Sequence, residues 1–434
     1  MDKKIPEKLL DFIEKAPTSC HAVKNIADTL KDAGCSELYE HEMWKLTPGG
    51  KYFVTKNQSS IIAFAIPAGG GGGFMIAAAH SDSPAFRIKA VSENCGGHYV
   101  QLNTEGYGGM IYSTWLDRPL SVAGKVAVSR GGAIEVKLID IDGDIIVIPN
   151  VAIHMNRQAN SGYAYNPAVD LQPLFSSEAG KGSFKKLIAD AAGCGEDEIA
   201  GSELTVYNRQ KGMIWGYDGE FISSPRLDDL QCAFALIEGF MSAENIKSIP
   251  VCCIFDNEEV GSGTMQGAGS AFLTDVLCRI YESLGKSETE YKMALSRSFM
   301  MSADNAHAVH PNHPEYADKS GGPYMNGGIV IKYNANQRYT TDAVSEAIFK
   351  TVCREADVPV QVYANRADIA GGSTLGHIAV EKLPVHCIDI GLAQLAMHSS
   401  YETAGARDTE YLIKAMKVYF EKSITPYGDK AYKL

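Results

Sequence analysis

The sequence predicts an α/β fold, one sheet with helices on both faces, interrupted by a β-rich insertion. Three observations predict it. From Pro225 onward, apolar strand-like runs alternate with helical patterns. Between about Val91 and Ser224 the texture changes to short segments of alternating polarity. Glycine is in excess, at 42 of 434 residues, which suits a chain with many tight strand-to-helix turns. Hydrophobic residues make up 45% and charged residues 21%, which excludes disordered, collagen-like and coiled-coil classes. The formal charge of −12 argues against a nucleic-acid surface, which needs a basic stripe. It leaves substrate charge open, because a local pocket can oppose the global sign.

The N-terminal part starts helical, with Leu9, Leu10 and Ile13 on one face. Thr18 or Ser19 caps a second helix that buries Val23, Ile26, Ala27 and Leu30, and Gly34 stops it. Strands follow at 51–54, 60–66 and 74–79. The stretch 61–79 carries no charge, but it contains Pro67 and the glycine run 69–73. It reads as two strands joined by a glycine turn, not as a membrane helix. In the middle block, 99–102, 125–128 and 134–138 alternate as strands. Asp142-Gly143, between 138–139 and 145–148, predicts a hairpin turn. The acids Asp140, Asp142 and Asp144 also suggest a calcium loop, but Ile145 stands where that loop needs glycine, so the hairpin is preferred. Beyond Pro225, helices are expected at 227–241, 270–284, 341–355 and 407–421. Strands are expected at 251–255, 299–302, 328–331 and 385–390. The organisation expected is a catalytic domain in two parts, 1–90 and 225–434, split by an inserted β-rich domain at 91–224.

The ten cysteines show no C-x-x-C spacing, and several lie in apolar runs such as Val251-Cys252-Cys253-Ile254-Phe255. They read as buried small side chains in a reducing compartment. Residues 1–7 hold no apolar signal core. The expectation is a soluble cytoplasmic protein with no membrane or nucleic-acid partner.

Chemistry-bearing side chains gather just past the ends of predicted strands, where open α/β sheets place their sites. His80 ends the strand 74–79, and Asp82 stands where its carboxylate can fix the imidazole tautomer. Glu258 and Glu259 follow the strand 251–255. Adjacent side chains diverge, so one suits a metal and the other a water, as ligand and general base. Asp304, His307 and His310 follow 299–302, and His398 follows 385–390. Asp228 and Asp229 open the helix at 227, where acids also serve as caps and complement the helix dipole. Each segment alone has an ordinary structural explanation. Their convergence on one sheet does not, since two hard divalent ions need about five such ligands with one carboxylate bridging. There is no H-E-x-x-H, G-x-S-x-G or Walker lysine loop. The glycines at 261, 263 and 267 have the wrong spacing for a dinucleotide loop.

The segments Ala79-His80-Ser81-Asp82-Ser83-Pro84, Ser224-Pro225-Arg226-Leu227-Asp228, Asp256-Asn257-Glu258-Glu259-Val260-Gly261-Ser262, Ser302-Ala303-Asp304-Asn305-Ala306-His307 and Ala396-Met397-His398-Ser399 resemble those of the aspartyl aminopeptidase and aminopeptidase I family. Their order and spacing hold over almost the whole chain. The resemblance implies a zinc-exopeptidase-type central mixed sheet flanked by helices, with the insertion serving dimerisation. It implies two divalent metal ions, zinc in the family, which His and carboxylate ligands also permit to be cobalt or manganese. By analogy Asp228 bridges the metals, His80 and Asp304 complete one site, and Glu259 and His398 complete the other. Glu258 is the general base and Asp82 orients His80. His154, from the insertion, matches a histidine the family brings to the active site, often from a partner subunit. His307, Lys332 and Tyr339 match substrate-contacting positions, and Gly371-Gly372-Ser373-Thr374 matches a loop near the site. Two departures stand out: Ser81 where Thr is frequent, and Asp229 where Asn is frequent, the latter adding a charge unless it points away as a cap.

The expected activity is hydrolysis of the N-terminal residue from peptides with a free N-terminus, by a two-metal mechanism. His154 or Tyr339 is expected to stabilise the oxyanion. An exposed Lys332 ammonium favours Asp or Glu at the N-terminus, although the family also includes enzymes preferring neutral residues. A two-metal N-acyl amino acid deacylase and a non-catalytic peptide-binding module are the alternatives. The resemblance further implies a homo-oligomer, a dodecamer built from dimers.

Overall fold

The computed structural model describes residues 4–69 and 71–434. Residues 1–3 of the N-terminal segment and Gly70 of the glycine run lie outside the described residues. The central sheet has nine strands, in the order Ser36–Leu38, Lys51–Lys56, Ser60–Ala65, Ile249–Phe255, Phe74–His80, Phe299–Ala303, His386–Gly391, Ile329–Tyr333 and Val360–Ala364. It is mixed. The four strands at its centre, Ile249–Phe255 through His386–Gly391, run parallel. Ser60–Ala65 and Ile329–Tyr333 flank them antiparallel. Parallel strands covered on both faces read as continuous apolar runs, and every residue of Phe74–His80 and Ile249–Phe255 is buried.

Alternation sends the side chains of each strand to two cores. Met75, Ala77 and Ala79 join one core with the helices Ser19–Asp32, Leu227–Ser242, Ala343–Glu355 and Asp408–Phe420. Phe74, Ile76 and Ala78 join the other with Phe272–Ser283 and Leu375–Val380. Tyr419 ties one layer to the sheet: its hydroxyl donates to the Ile76 carbonyl at 2.7 Å and the Phe299 carbonyl at 2.9 Å. At the N-terminus, Thr18 is the N-cap of its helix. Its hydroxyl pairs with His21 Nδ1 at 2.8 Å instead of a main-chain amide.

A second sheet of six antiparallel strands is ordered Ala133–Asp140, Leu120–Arg130, Ile199–Asn208, Ala85–Gly96, Tyr99–Tyr107 and Leu174–Ser177. It has its own core around Phe86, Trp115 and Val122, closed by Phe184 and Ile188 of the helix Ser183–Ala192. Its strands therefore lie between Ala85 and Asn208. Met213–Trp215 and Phe221–Ser224 instead enter a five-stranded sheet with Glu402–Gly405, Ala393–Leu395 and Ala306–His307.

The hairpin expected at Asp142-Gly143 is not there. The turn that pairs Arg130 with Ala133 is Gly131-Gly132, both at positive φ, the conformation a two-residue hairpin loop needs. After Asp142-Gly143 the chain keeps to the edge of Leu120–Arg130, where Ile146 bridges Leu120, and then crosses to pair Val147 with Leu174. Arg209 holds the acids of this turn, at 2.7 Å from Asp142 and 2.6 Å from Asp144. Two of the three carboxylates that suggested calcium are thus ion-paired, and the third, Asp140, accepts the Tyr207 hydroxyl.

Helices Leu227–Ser242 and Asp408–Phe420 approach closely at Gly239, where a Cβ would stand 2.3 Å from Met416 Cβ. Replacing glycine with alanine in an open helix interior stabilises by roughly 0.5–1 kcal/mol. Here Gly239→Ala is expected to do the reverse, lowering stability by about 1–3 kcal/mol through overpacking. The urea-unfolding midpoint measures the sign.

Candidate active site

The carboxyl ends of the central parallel strands deliver the expected side chains to one place. His80 is the last residue of its strand. Its Nδ1 lies 3.0 Å from the Asp82 main-chain carbonyl and 3.4 Å from the Asp82 carboxylate. A proton on Nδ1 leaves Nε2 facing Asp228 Oδ1 at 3.6 Å and Asp304 Oδ1 at 3.9 Å. On the other side, His398 Nε2 lies 3.4 Å from Asp228 Oδ2 and 3.4 Å from Glu259 Oε1. Its Nδ1 meets the Gly109 carbonyl at 2.6 Å, so the same tautomer argument applies. Asp228 therefore stands between two imidazoles, one on each carboxylate oxygen.

Local backbone sets these directions. Asp228 and Asp229 depart from helical geometry at the start of Leu227–Ser242, and neither carboxylate caps that helix. The expectation that Asp229 points away as a cap is corrected: it is buried, and its Oδ2 accepts the His80 amide at 3.1 Å. Glu258 and Glu259 sit in a single 3-10 turn between Asn257 and Gly261, both in the left-handed region. That turn separates the two side chains. The Asp82 carboxylate receives both of their amides, at 3.1 and 3.2 Å, and the Tyr107 hydroxyl at 2.5 Å. His398 is itself left-handed, at φ 66°.

One atom each from His80, Asp228 and Asp304 lie within 4.8 Å of one another, as do atoms from Asp228, Glu259 and His398, and from His80, Glu258 and Glu259. Asp228 Oδ1 and Glu259 Oε1 are buried without a hydrogen-bond partner. Burial raises Glu258, Glu259 and Asp304, while the two imidazoles hold Asp228 far below the usual carboxylate range despite its burial. Glu258 is pushed up to about 8 by burial, with Asp304 and Asp82 adding to it and His80 opposing. Burial raises Asp304 to about 6 against the pull of Lys332. Burial disfavours a charged His398, yet Asp228 and Glu259 raise it to about 10. Unpartnered carboxylate oxygens and mutually repelling acids are what a bound cation satisfies. Imidazole and carboxylate donors suit zinc, cobalt or manganese.

Other expected residues are placed differently. Lys332 was expected to be exposed; its side chain is 3% exposed, with Nζ 3.5 Å from Asp304 Oδ2 and 5.4 Å from the Tyr339 ring. Its methylenes enter with the buried strand, and its charge answers an inward-facing acid. Tyr339 is buried, and His307 is exposed with its ring 5.9 Å from Tyr363. His310 turns toward His313, with ring centroids 5.4 Å apart, and joins none of the metal-capable groups. Thr374 bonds the buried Asp389, which also accepts Thr340 beside Tyr339. His154 lies in an exposed segment and is not brought to the cluster within this chain.

Sequence reasoning missed Glu402 and Tyr107. Glu402 is buried; its two oxygens accept the amides of Asp228 at 3.0 Å and His398 at 2.7 Å. It is the sole Asp, Glu, Lys or Arg between Asp389 and Arg407, a signal that was available. Tyr107 accepts from Asn257 Nδ2 at 2.8 Å while donating to Asp82. Nothing local marks it.

Acids this densely buried at the carboxyl ends of central strands, with imidazoles among them, suit bound cations. That combination is the arrangement of a metal-dependent enzyme. A family model described as aminopeptidase I zinc metalloprotease (M18) matches residues 12–420. The chain is 45% identical over 426 residues to the probable M18 family aminopeptidase 2 of Clostridium acetobutylicum, covering 95% of this chain and 98% of that one. A cryo-EM structure of the Ape4 and Nbr1 complex superposes with a TM-score of 0.93 at 37% identity, over 95% of this chain and 85% of that chain. The S. cerevesiae mApe1 dodecamer superposes with a TM-score of 0.85 at 25% identity, over 96% of this chain and 97% of that chain. The chain belongs to the M18 aminopeptidase I family of zinc metalloproteases, and is a metallo-aminopeptidase.

Glu402 fixes two main-chain positions at once. Glu402→Gln puts an amide NH2 against one of these N–H groups. Zinc affinity is expected to fall about 10- to 100-fold, as for other groups that orient ligands. Zinc titration by competition with a chromophoric chelator, with circular dichroism unchanged, checks this.

Proposed function

We propose that this metallo-aminopeptidase holds two divalent ions, zinc by family description, and removes single residues from peptide N-termini. The observation that carries the proposal is Asp228 set between His80 and His398, with one oxygen toward each. In this scheme Asp228 would serve both ions, with His80 and Asp304 holding one and Glu259 and His398 the other. When bound, the ions supply Lewis acidity that polarises the scissile carbonyl and lowers the pKa of water.

Glu258 acts as the general base. Its place beside His80 and Glu259 supports the transfer of a water proton to the leaving amine. Asp82 holds the amides of Glu258 and Glu259 and the Nδ1 side of His80, so it positions both base and ligands. Tyr339, or the partner subunit's His154, donates to the developing oxyanion. This chain's His154 is exposed, and in this scheme a neighbouring copy's His154 completes the site; the mApe1 dodecamer among the structural neighbours supports such a homo-oligomer. In this scheme the expected insertion 91–224 serves dimerisation through its six-stranded sheet, whose strands run from Ala85 to Asn208, and the remainder is the catalytic domain. Ten unpaired cysteines support a reducing cytoplasmic setting.

An acidic N-terminal residue is the preferred substrate. With cations offsetting Asp304, Lys332 is the positive charge left to attract a substrate carboxylate, beside His307 and Tyr339. The burial of Lys332 favours a second reading, a preference for neutral residues. Rates on aspartyl, glutamyl and leucyl reporter substrates separate the two. Higher kcat/KM for aspartyl or glutamyl is expected, and leucyl preference overturns it.

Glu258→Gln is expected to keep its bound metal and lose about 100- to 10,000-fold in kcat. Wild-type turnover in a metal-replete Glu258→Gln enzyme would remove Glu258 from the mechanism. Removal of metal by a chelator is expected to abolish activity, and zinc to restore it.

A further inference from the structure

One buried carboxylate has neither a cation beside it nor a part in the chemistry proposed above. Asp389 lies in the central strand His386–Gly391 and is fully buried. It forms no ion pair among the described residues. Hydrogen-bond donors satisfy it instead. Its Oδ2 accepts the Thr340 amide and, at 2.7 Å, the Thr340 hydroxyl, while Oδ1 accepts the Thr374 hydroxyl. Its main chain is tied to the next residue of the same segment. The Asp389 amide donates to the Thr341 hydroxyl at 3.1 Å, and that hydroxyl faces the Asp389 carbonyl at 3.4 Å. A charge buried without a cation is costly, so a sheet interior that keeps one gains little stability from it.

The donors come from two segments that lead to the active site. Thr340 follows Tyr339 directly. Thr374 ends the segment 371–374 and is the N-cap of Leu375–Val380, yet its hydroxyl bonds Asp389 and no amide of that helix. Before Tyr339, residues 335–338 are exposed, with Gln337 left-handed at φ 58°. After it, Asp342 caps Ala343–Glu355 through the amides of Val344 and Ser345. Tyr339 therefore stands where an exposed loop meets an anchored helix start. Its ring is 5.4 Å from Lys332 Nζ. Burial raises its phenol, Lys332 opposes, and Asp304, Asp389 and Glu258 add to the rise. The phenol thus lies within electrostatic reach of the proposed base and of a proposed metal ligand.

We propose that Asp389 is the positioning residue for Tyr339. It fastens the main chain and hydroxyl of Thr340 to the central sheet, and through Thr374 it fastens the 371–374 segment to the same point. The phenol is then fixed before the reaction starts, which is the condition for a donor to stabilise developing charge. The strand chosen for the anchor fits that role. His386–Gly391 pairs in parallel with Phe299–Ala303, Asp389 opposite Ser302, and Phe299–Ala303 leads straight to Asp304. Phenol and ligand are so referred to one rigid frame. The proposal rests on the reading of Tyr339 as a donor to the oxyanion.

The test is a double-mutant cycle on the zinc-loaded enzyme. Tyr339→Phe is expected to lose about 100- to 1,000-fold in kcat, as for other oxyanion donors. Asp389→Asn is expected to lose about 10- to 100-fold, the effect of a slightly misplaced group. KM should stay within about twofold, since the lost interaction belongs to the transition state. Zinc affinity, read by competition with a chromophoric chelator, should match wild type. In the Tyr339→Phe background, Asp389→Asn should cost less than about twofold, because the group it positions is gone. Wild-type kcat in Asp389→Asn, or a full additional loss in the double variant, overturns the proposal and leaves the role of Tyr339 standing. Wild-type kcat in Tyr339→Phe overturns that role and the proposal with it. Should Asp389→Asn fail to fold, Thr340→Val takes its place in the cycle. It keeps the branched shape and removes one hydrogen bond, so a loss of about three- to tenfold is expected. That loss must likewise vanish beside Tyr339→Phe, and its persistence there overturns the proposal.

Discussion

The structure is organised around one electrostatic constraint: carboxylates crowded in a buried place with too little positive charge. Asp228, Glu259 and Asp304 face inward beside Glu258, while His80 and His398 turn Nε2 toward them and Lys332 is the ammonium at hand. Water is largely excluded, so each acid raises the pKa of its neighbours. The chain carries this arrangement through a second layer of acids that bind main-chain amides. Asp229 takes the amide of His80, Asp82 takes those of Glu258 and Glu259, and Glu402 takes those of Asp228 and His398. Amide donors favour an ionised carboxylate: against its burial, His80, Tyr107 and the Glu259 amide hold Asp82 below its usual value, whereas burial pushes Glu402 up to about 8 and Asp229 well up. Asp304 is the exception, its amide given to the Ile390 carbonyl within the sheet.

That constraint explains why the six-stranded sheet takes part in the site. Tyr107 ends the strand Tyr99–Tyr107, and the next two residues lie against the cluster. A Cβ at Gly108 would stand 3.1 Å from Glu259 Cβ, and the Gly109 carbonyl fixes His398. The five-stranded sheet does the complementary work. It joins Phe221–Ser224, leading to Asp228, with Ala393–Leu395, leading to His398, and with Glu402–Gly405. Three sheets therefore meet at one set of acids, and each contributes main-chain atoms as well as side chains. Gly391 marks how tightly they meet, since a Cβ there would be 1.9 Å from the Asp304 carbonyl.

What was legible in the sequence follows from which signals are local. Strand ends carrying His80, Glu258-Glu259 and Asp304 announce themselves, because a buried parallel strand is a continuous apolar run and its end is a change of chemistry. Asp142-Gly143 misled because turn chemistry reports that the chain bends, not which strand it then pairs with. That choice was made by Leu120 and Leu174, more than twenty residues away on either side. Lys332 was read as exposed because lysine usually is. Its burial depends on Asp304, which sequence separation hides. Glu402 and Tyr107 act on main chain or on another acid, contacts for which sequence has no motif. Asp229 looked like a cap because position alone implied it, yet the helix departs from regular geometry at that residue.

The acids that hold main chain set how the cluster answers a change of charge. Asp82 carries the amides of Glu258 and Glu259, and Glu402 carries those of Asp228 and His398. Cations that offset the inner acids relieve the repulsion among them. The amides tie that balance to main-chain position, so a shift in charge is felt as geometry at the inner carboxylates.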